Sequence, residues 1–191
     1  LTHCIEAYTV QLHQPITDAL ALKGISMIAE NLEKAYENGE DREARRNMMI
    51  ASTIGGMAFI SSNVGAVHAF AETVGAWFDT PHGVANSLFL PYIMEFNIPA
   101  CPERFADIAD AMGIEREESM SDEQYALKAV EYVKALNRKL NIPTIKEIKG
   151  ITEERFEAIA ERSANNVLSN DNARKITKED YLELLKKAYN E

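Results

Sequence analysis

Apolar residues recur at helical spacing along almost the entire chain, and no segment shows the strict alternation expected of a half-buried strand. The clearest apolar face belongs to the segment that opens at Thr17 or Asp18, and it comprises Ala19, Leu22, Ile25, Ile28, Ala29 and Leu32. The full pattern predicts roughly eight or nine helices, over residues 1–13, 17–36, 41–60, 65–77, 82–97, 102–113 and 121–140, then after Thr152 and over 177–189. We therefore predict an all-α fold, an irregular antiparallel helical bundle.

Several predicted helix ends carry recognisable signals. Pro15 ends the first segment, and Gly113 is expected to cap the C-terminus of the helix before it. Thr80 is predicted to be an N-cap, with Pro81 at the first helical position of the next helix. Thr152 and the residues after it resemble a capping box. These signals divide the helical pattern into separate helices joined by turns.

The composition is that of an ordinary globular protein with one domain, or at most two small ones. The chain has 191 residues, of which 46% are hydrophobic and 26% are charged. A formal net charge of −10 argues against nucleic acid and anionic membrane as partners. Cys4 and Cys101 lie far apart and form no redox motif, so we expect a reducing, cytoplasmic compartment. No apolar run approaches the ~18 residues of a membrane span, and we see no signal-peptide pattern.

Two of the four histidines flank a predicted chain reversal, in the stretch VHAFAETVGAWFDTPHG. A straight helix would separate His68 from His82 by about 21 Å, whereas a metal ion must lie about 2 Å from each imidazole nitrogen. A turn at residues 79–81 would fold the chain back and allow both rings to approach one ion. The alternative is two unrelated histidines at the core or its rim, and the same interpretation applies to His3 and to His13 at an exposed helix end.

Three motifs, LTHCIEAY, PITDALALKGI and GAVHAFAETVGAWFDTPHGVANSLFLPYIMEFN, resemble the C-terminal half of the iron-containing (group III) alcohol dehydrogenases. The resemblance runs from Leu1 to about Gly113 and continues weakly to the final NARKITKEDYLELLKKAY. It implies the C-terminal domain of a dehydroquinate synthase-like fold, a single α-helical metal-binding domain over residues 1–191. It also implies that the chain is a fragment without its N-terminal nucleotide-binding domain, since we find no Gly-rich phosphate loop.

The resemblance implies a metal site as well. His3 in LTH, His68 in VHA and His82 in PHG match three ligands of the family. The family's fourth ligand is an aspartate four residues before the first histidine, which corresponds to two positions upstream of Leu1. Three imidazoles and one carboxylate suit Fe²⁺ or Zn²⁺.

Glu72 occupies a position where many family members carry a second histidine, one helical turn after His68. The resemblance implies a catalytic role there, in which the carboxylate relays a proton or bonds a substrate hydroxyl group. The alternative is a solvated glutamate on a helix surface. We interpret Asn86, in the same motif as His82, as a structural residue whose side chain bonds a neighbouring backbone group.

The resemblance implies an oxidoreductase that interconverts a small-molecule alcohol and its aldehyde or ketone. The metal would activate the alcohol oxygen, and hydride would pass to NAD or NADP bound mainly by the absent domain. We expect a homo-oligomer, and we expect the fragment alone to be inactive and to bind metal weakly. Two alternatives stay open: a zinc-dependent polyol or glycerol dehydrogenase, and a non-catalytic helical module for interaction or regulation.

Overall fold

The computed structural model describes all 191 residues and contains nine α-helices, four short 3-10 helices and no strand. The α-helices are α1 Thr2–Thr9, α2 Pro15–Glu37, α3 Arg42–Ser62, α4 Ala66–Phe78, α5 His82–Asn97, α6 Pro102–Ala111, α7 Asp122–Lys139, α8 Phe156–Ala164 and α9 Lys178–Asn190. The 3-10 helices are Ile98–Ala100, Ile145–Glu147, Glu153–Arg155 and Val167–Asp171. No single helix is long and apolar enough to cross a membrane, and α3 and α4 reach that length and composition only together, across a bend of 106°. The predicted all-α fold is confirmed.

The helices pack mainly against their neighbours in sequence. α2 packs along α3, while α4 with α5, α6 with α7, and α8 with α9 form three further pairs. Phe70 of α4 stacks on Phe89 of α5 with ring centroids 4.2 Å apart, and it meets Tyr181 of α9 edge-on at 4.6 Å. All three rings are buried. This aromatic contact holds α4 and α5, which carry two of the candidate ligands, against the last helix.

The first two helices have other limits than those predicted. α1 ends at Thr9 instead of extending to residue 13. α2 begins at Pro15 rather than at Thr17 or Asp18, because Gln14 is its N-cap and accepts a backbone N–H of the first turn at 3.0 Å. Proline suits the first helical position, since the N–H that it lacks would have no partner within the helix.

Two of the predicted caps are absent and one is present. Thr80 does not cap α5, which begins two residues later, and its buried hydroxyl group makes no hydrogen bond. Thr152 precedes a 3-10 helix, and its side chain caps no N–H. The glycine cap after α6 is confirmed: Gly113 has a φ of +75°, and the Ile114 N–H bonds Ala109 O at 3.1 Å.

A buried asparagine ties the start of α4 to the C-terminal part of the chain. Asn172 Oδ1 accepts from the Ala66 N–H at 3.3 Å and from Asn97 Nδ2 at 3.0 Å, and Asn172 Nδ2 donates to Asn97 Oδ1 at 2.7 Å. Gly65 leaves little room for a side chain, because a Cβ there would lie 3.0 Å from Asn172 Oδ1 and 3.2 Å from Glu6 Oε1. These contacts fix the first turn of α4, which carries His68.

Candidate metal centre

Three helices bring His3, His68 and His82 together. His3 lies on α1, His68 lies in the first turn of α4, and His82 is the first residue of α5. The ring centroids are 4.6 Å apart for His3 and His68, 5.3 Å for His68 and His82, and 6.3 Å for His3 and His82. One ring nitrogen from each histidine lies within 4.8 Å of the other two. This spacing would allow the three imidazoles to serve as ligands of one ion.

The chain reversal between α4 and α5 makes this convergence possible. Asp79 adopts the left-handed conformation with φ +50° and ψ +36°, which aspartate tolerates better than most residues. Pro81 follows with its φ held at −53°. The turn packs closely on α4, since a Cβ on Gly75 would lie 3.3 Å from Thr80 O. The predicted reversal is therefore present, although Thr80 does not cap the next helix.

A buried carboxylate on α1 sets the orientation of the His68 ring. Glu6 is 3% exposed. One of its oxygens accepts the Val67 N–H at 2.8 Å, and the other is hydrogen-bonded to His68 Nδ1. Because an ionised carboxylate only accepts, Nδ1 carries the hydrogen and Nε2 keeps its lone pair. Carboxylate–histidine pairs of this kind orient metal-binding histidines.

Unpaired polar atoms cluster at this site. Three buried side-chain polar atoms in the chain have no hydrogen-bond partner, namely His68 Nε2, Thr80 Oγ1 and Asn86 Oδ1. All three lie within α4, α5 or the turn between them. Buried polar atoms are nearly always paired in folded proteins. The orphaned Nε2 of His68, together with the two nearby imidazoles, therefore fits a metal ion.

Burial favours the neutral form of His3 and His82. Burial, and then the repulsion of His68, lower the pKa of His3 to about 4. Burial, and then His68, also lower the pKa of His82, although the charge of Glu72 acts in the opposite direction. Both rings are therefore uncharged at neutral pH, which is the form that binds metal ions.

Asn86 lies beside the three histidines, whereas His13 does not. Asn86 is buried one turn after His82, donates to His82 O at 2.9 Å, and places its amide nitrogen 3.1 Å from His82 Nε2. It bonds a neighbouring backbone group, as predicted. His13 lies outside the cluster, where Nδ1 is 3.4 Å from a carboxylate oxygen of Asp18.

Glu72 lies one helical turn after His68, on an exposed part of α4. Its Oε2 accepts from Asn166 Nδ2 at 2.7 Å, and both residues border a polar pocket with Arg162. No hydrogen bond joins Glu72 to the three histidines, but its charge is close enough to affect His82. Glu72 is therefore next to the cluster rather than part of it.

Two of these residues, Glu6 and Asn166, were not predicted from the sequence. Glu6 follows His3 by three residues, so helical spacing places both near one face of α1. Its partner His68 is 62 residues away in the chain, and Asn166 is 94 residues from Glu72. The only available signal was the helical spacing of Glu6 from His3.

Comparisons with known proteins point to one family. The profile of the "Fe-containing alcohol dehydrogenase family, C-terminal" matches residues 1–189. Alcohol dehydrogenase 4 of Saccharomyces cerevisiae is 41% identical over 192 residues, which cover 99% of this chain and 48% of the yeast protein. The NADPH-dependent butanol dehydrogenase of Clostridium saccharobutylicum is 38% identical over 193 residues, covering 99% of this chain and 48% of that protein.

Solved structures of alcohol dehydrogenases resemble the fold of this chain. An alcohol dehydrogenase from Oenococcus oeni superposes with a TM-score of 0.94 at 38% sequence identity. The superposition covers 98% of this chain and 49% of the solved one. The chain thus spans about half the length of the curated relatives and solved structures that it matches.

Proposed function

The chain belongs to the iron-containing alcohol dehydrogenase family, and from that premise we propose that it is the metal-binding half of an NAD(P)-dependent alcohol oxidoreductase. The observation that carries the proposal is the convergence of three imidazole nitrogens within 4.8 Å. One of the three histidines, His68, has a buried Nε2 without a partner. A metal ion would give that atom a partner.

In this proposal His3, His68 and His82 hold a divalent ion, Fe²⁺ or Zn²⁺, because neutral imidazoles suit both. When bound, the metal supplies Lewis-acid activation of the alcohol oxygen, and NAD(P) accepts the hydride. Glu6 retains the hydrogen on His68 Nδ1 and so leaves Nε2 available to the ion.

Glu72 is proposed as the proton acceptor and donor. Its carboxylate lies one helical turn beyond His68 and is exposed, so a substrate can approach it. During alcohol oxidation it takes up the hydroxyl proton, and during carbonyl reduction it returns a proton to the oxygen. A carboxylate can do both because it accepts a proton in its ionised form and donates one in its neutral form.

The substrate class proposed is a short aliphatic alcohol, since a relative at 38% identity is a butanol dehydrogenase. The test uses the metal-loaded full-length protein, with NAD- and NADP-linked oxidation of ethanol, butanol and glycerol followed by the absorbance of the reduced nicotinamide. We expect turnover of at least one alcohol, its loss in His82→Ala, and its retention in His13→Ala. Turnover that survives His82→Ala, or an inactive wild type, would contradict the proposal and favour a non-catalytic helical module.

A further inference from the structure

Asn166 lies between α8 and the 3-10 helix Val167–Asp171, where its side-chain amide has two partners. Its Oδ1 accepts the Leu168 N–H at 3.0 Å, and its Nδ2 donates to Glu72 Oε2 at 2.7 Å. The backbone N–H determines which way the amide points, because only the oxygen can accept from it. The NH₂ group of Asn166 is therefore directed at Glu72.

The segment that carries Asn166 is anchored on both sides. Ser163 Oγ donates to Thr73 Oγ1 at 3.2 Å, directly beside Glu72 on α4. Ser169 Oγ donates to Ser163 O at 2.7 Å. Both serines are buried, so these bonds are protected from water. They hold Asn166 beside the helix that bears Glu72.

No cation is paired with Glu72. Arg162 borders the same pocket, but its guanidinium carbon lies over the Trp77 ring, 5.6 Å from the centroid, and it forms no ion pair with Glu72. His82 on α5 is close enough to interact with the charge of Glu72, but neither His82 nor His68 is hydrogen-bonded to Glu72. A paired cation would make a carboxylate a weaker proton acceptor, whereas a neutral amide orients it at a smaller cost in basicity.

We propose that Asn166 is a positioning residue for Glu72, which it holds by Oε2 so that Oε1 stays free for the reacting alcohol. The proposal rests on the proposed function. In that reaction the alcohol loses its hydroxyl proton to Glu72 and a hydride from the carbinol carbon to NAD(P)⁺. The products are the carbonyl compound, NAD(P)H and a neutral Glu72 carboxyl group. Asn166 itself exchanges no proton.

The decisive variant is Asn166→Asp in the metal-loaded full-length enzyme. Ionised aspartate keeps an oxygen to accept the Leu168 N–H, but it cannot donate to Glu72 and it repels the Glu72 carboxylate. We expect kcat to fall roughly three- to tenfold, as for the loss of one hydrogen bond, while KM, metal content and the unfolding midpoint stay unchanged. Asn165→Ala is the control, because Asn165 is exposed and its side chain makes no hydrogen bond, and we expect it to behave as wild type.

A double-variant cycle with Glu72→Gln separates positioning from a general structural role. If Asn166 acts through Glu72, adding Asn166→Asp to Glu72→Gln lowers kcat no further. A crystal structure of the Asn166→Asp protein is expected to show Glu72 in another rotamer and the three histidines unmoved. An equal loss in both backgrounds, or a kcat unchanged by Asn166→Asp, would overturn the inference and leave the proposed function standing. A kcat unchanged by Glu72→Gln would overturn both the inference and the proton-transfer role proposed for Glu72. An inactive wild type would instead overturn the proposed function.

Discussion

The histidine cluster and the Glu72–Asn166 pair both involve α4, yet the chain builds them differently. His68 is 4% exposed, is bonded to a carboxylate that is itself buried, and is met by histidines from two other helices. Glu72 is exposed, and its one side-chain hydrogen bond comes from a residue beyond α8. The first site depends on core packing and the second on a single polar contact. Variants should therefore separate metal binding from proton transfer.

The largest effect is expected from removing a candidate ligand. His68→Ala deletes the one buried ring nitrogen that has no partner, so we expect the full-length protein to lose its stoichiometric metal and all turnover. Elemental analysis after gel filtration measures the metal. His13→Ala is the matched control, because that histidine lies outside the cluster. Metal retained in the His68 variant, or lost from both variants, would contradict the ligand assignment.

Glu72→Gln should act on turnover alone. Glutamine has nearly the same shape and can still accept the hydrogen bond from Asn166, but it cannot take up a proton. We expect kcat to fall by about 100-fold or more, with the metal content of wild type. Steady-state kinetics and elemental analysis on one preparation check both quantities. Loss of metal together with turnover would show that the two sites are not separable.

Glu6→Gln tests the buried support of the cluster. A glutamine has one accepting oxygen and so cannot serve both the Val67 N–H and His68 Nδ1. We expect the metal affinity to fall roughly 10- to 100-fold, measured by competition with a chelator. Glu30→Gln is the control, since that exposed carboxylate bonds only Ser26, at 3.3 Å. An unchanged affinity in the Glu6 variant would mean that the carboxylate does not orient the ligand.

The smallest effect is expected at two glycines on neighbouring helices. A Cβ on Gly24 would lie 2.6 Å from the Sγ of buried Cys4, next to His3, whereas a Cβ on Gly56 would meet nothing within 4 Å. We expect Gly24→Ala to lower the free energy of unfolding by about 1–3 kcal/mol and Gly56→Ala to raise it by about 0.5–1 kcal/mol. Urea unfolding followed by circular dichroism measures both. An equal change in the free energy of unfolding for both variants would mean that α1 is not packed tightly on α2 at Gly24.

Features with local signals could be predicted from the sequence. Apolar periodicity was sufficient for the all-α fold, and an Asp-Thr-Pro turn between two histidines was sufficient for the chain reversal. The N-caps were predicted less well. Gln14 caps α2 although glutamine is not among the preferred N-cap residues, and Thr80 makes no cap although threonine is.

Contacts between distant parts of the chain could not be predicted in this way. The Glu6–His68 pair and the Glu72–Asn166 pair belong to no local motif. Each depends on how α1 or the segment after α8 packs around α4, and periodicity does not specify helix partners. The three histidines came together in the prediction only because family motifs marked each of them.

We propose that one metal ion lies among His3, His68 and His82. Anomalous diffraction at the iron and zinc absorption edges, from crystals of the metal-loaded full-length protein, tests it most directly. We expect one peak, about 2 Å from a ring nitrogen of each histidine. A peak elsewhere, or no peak among these rings in protein that carries stoichiometric metal, would contradict it.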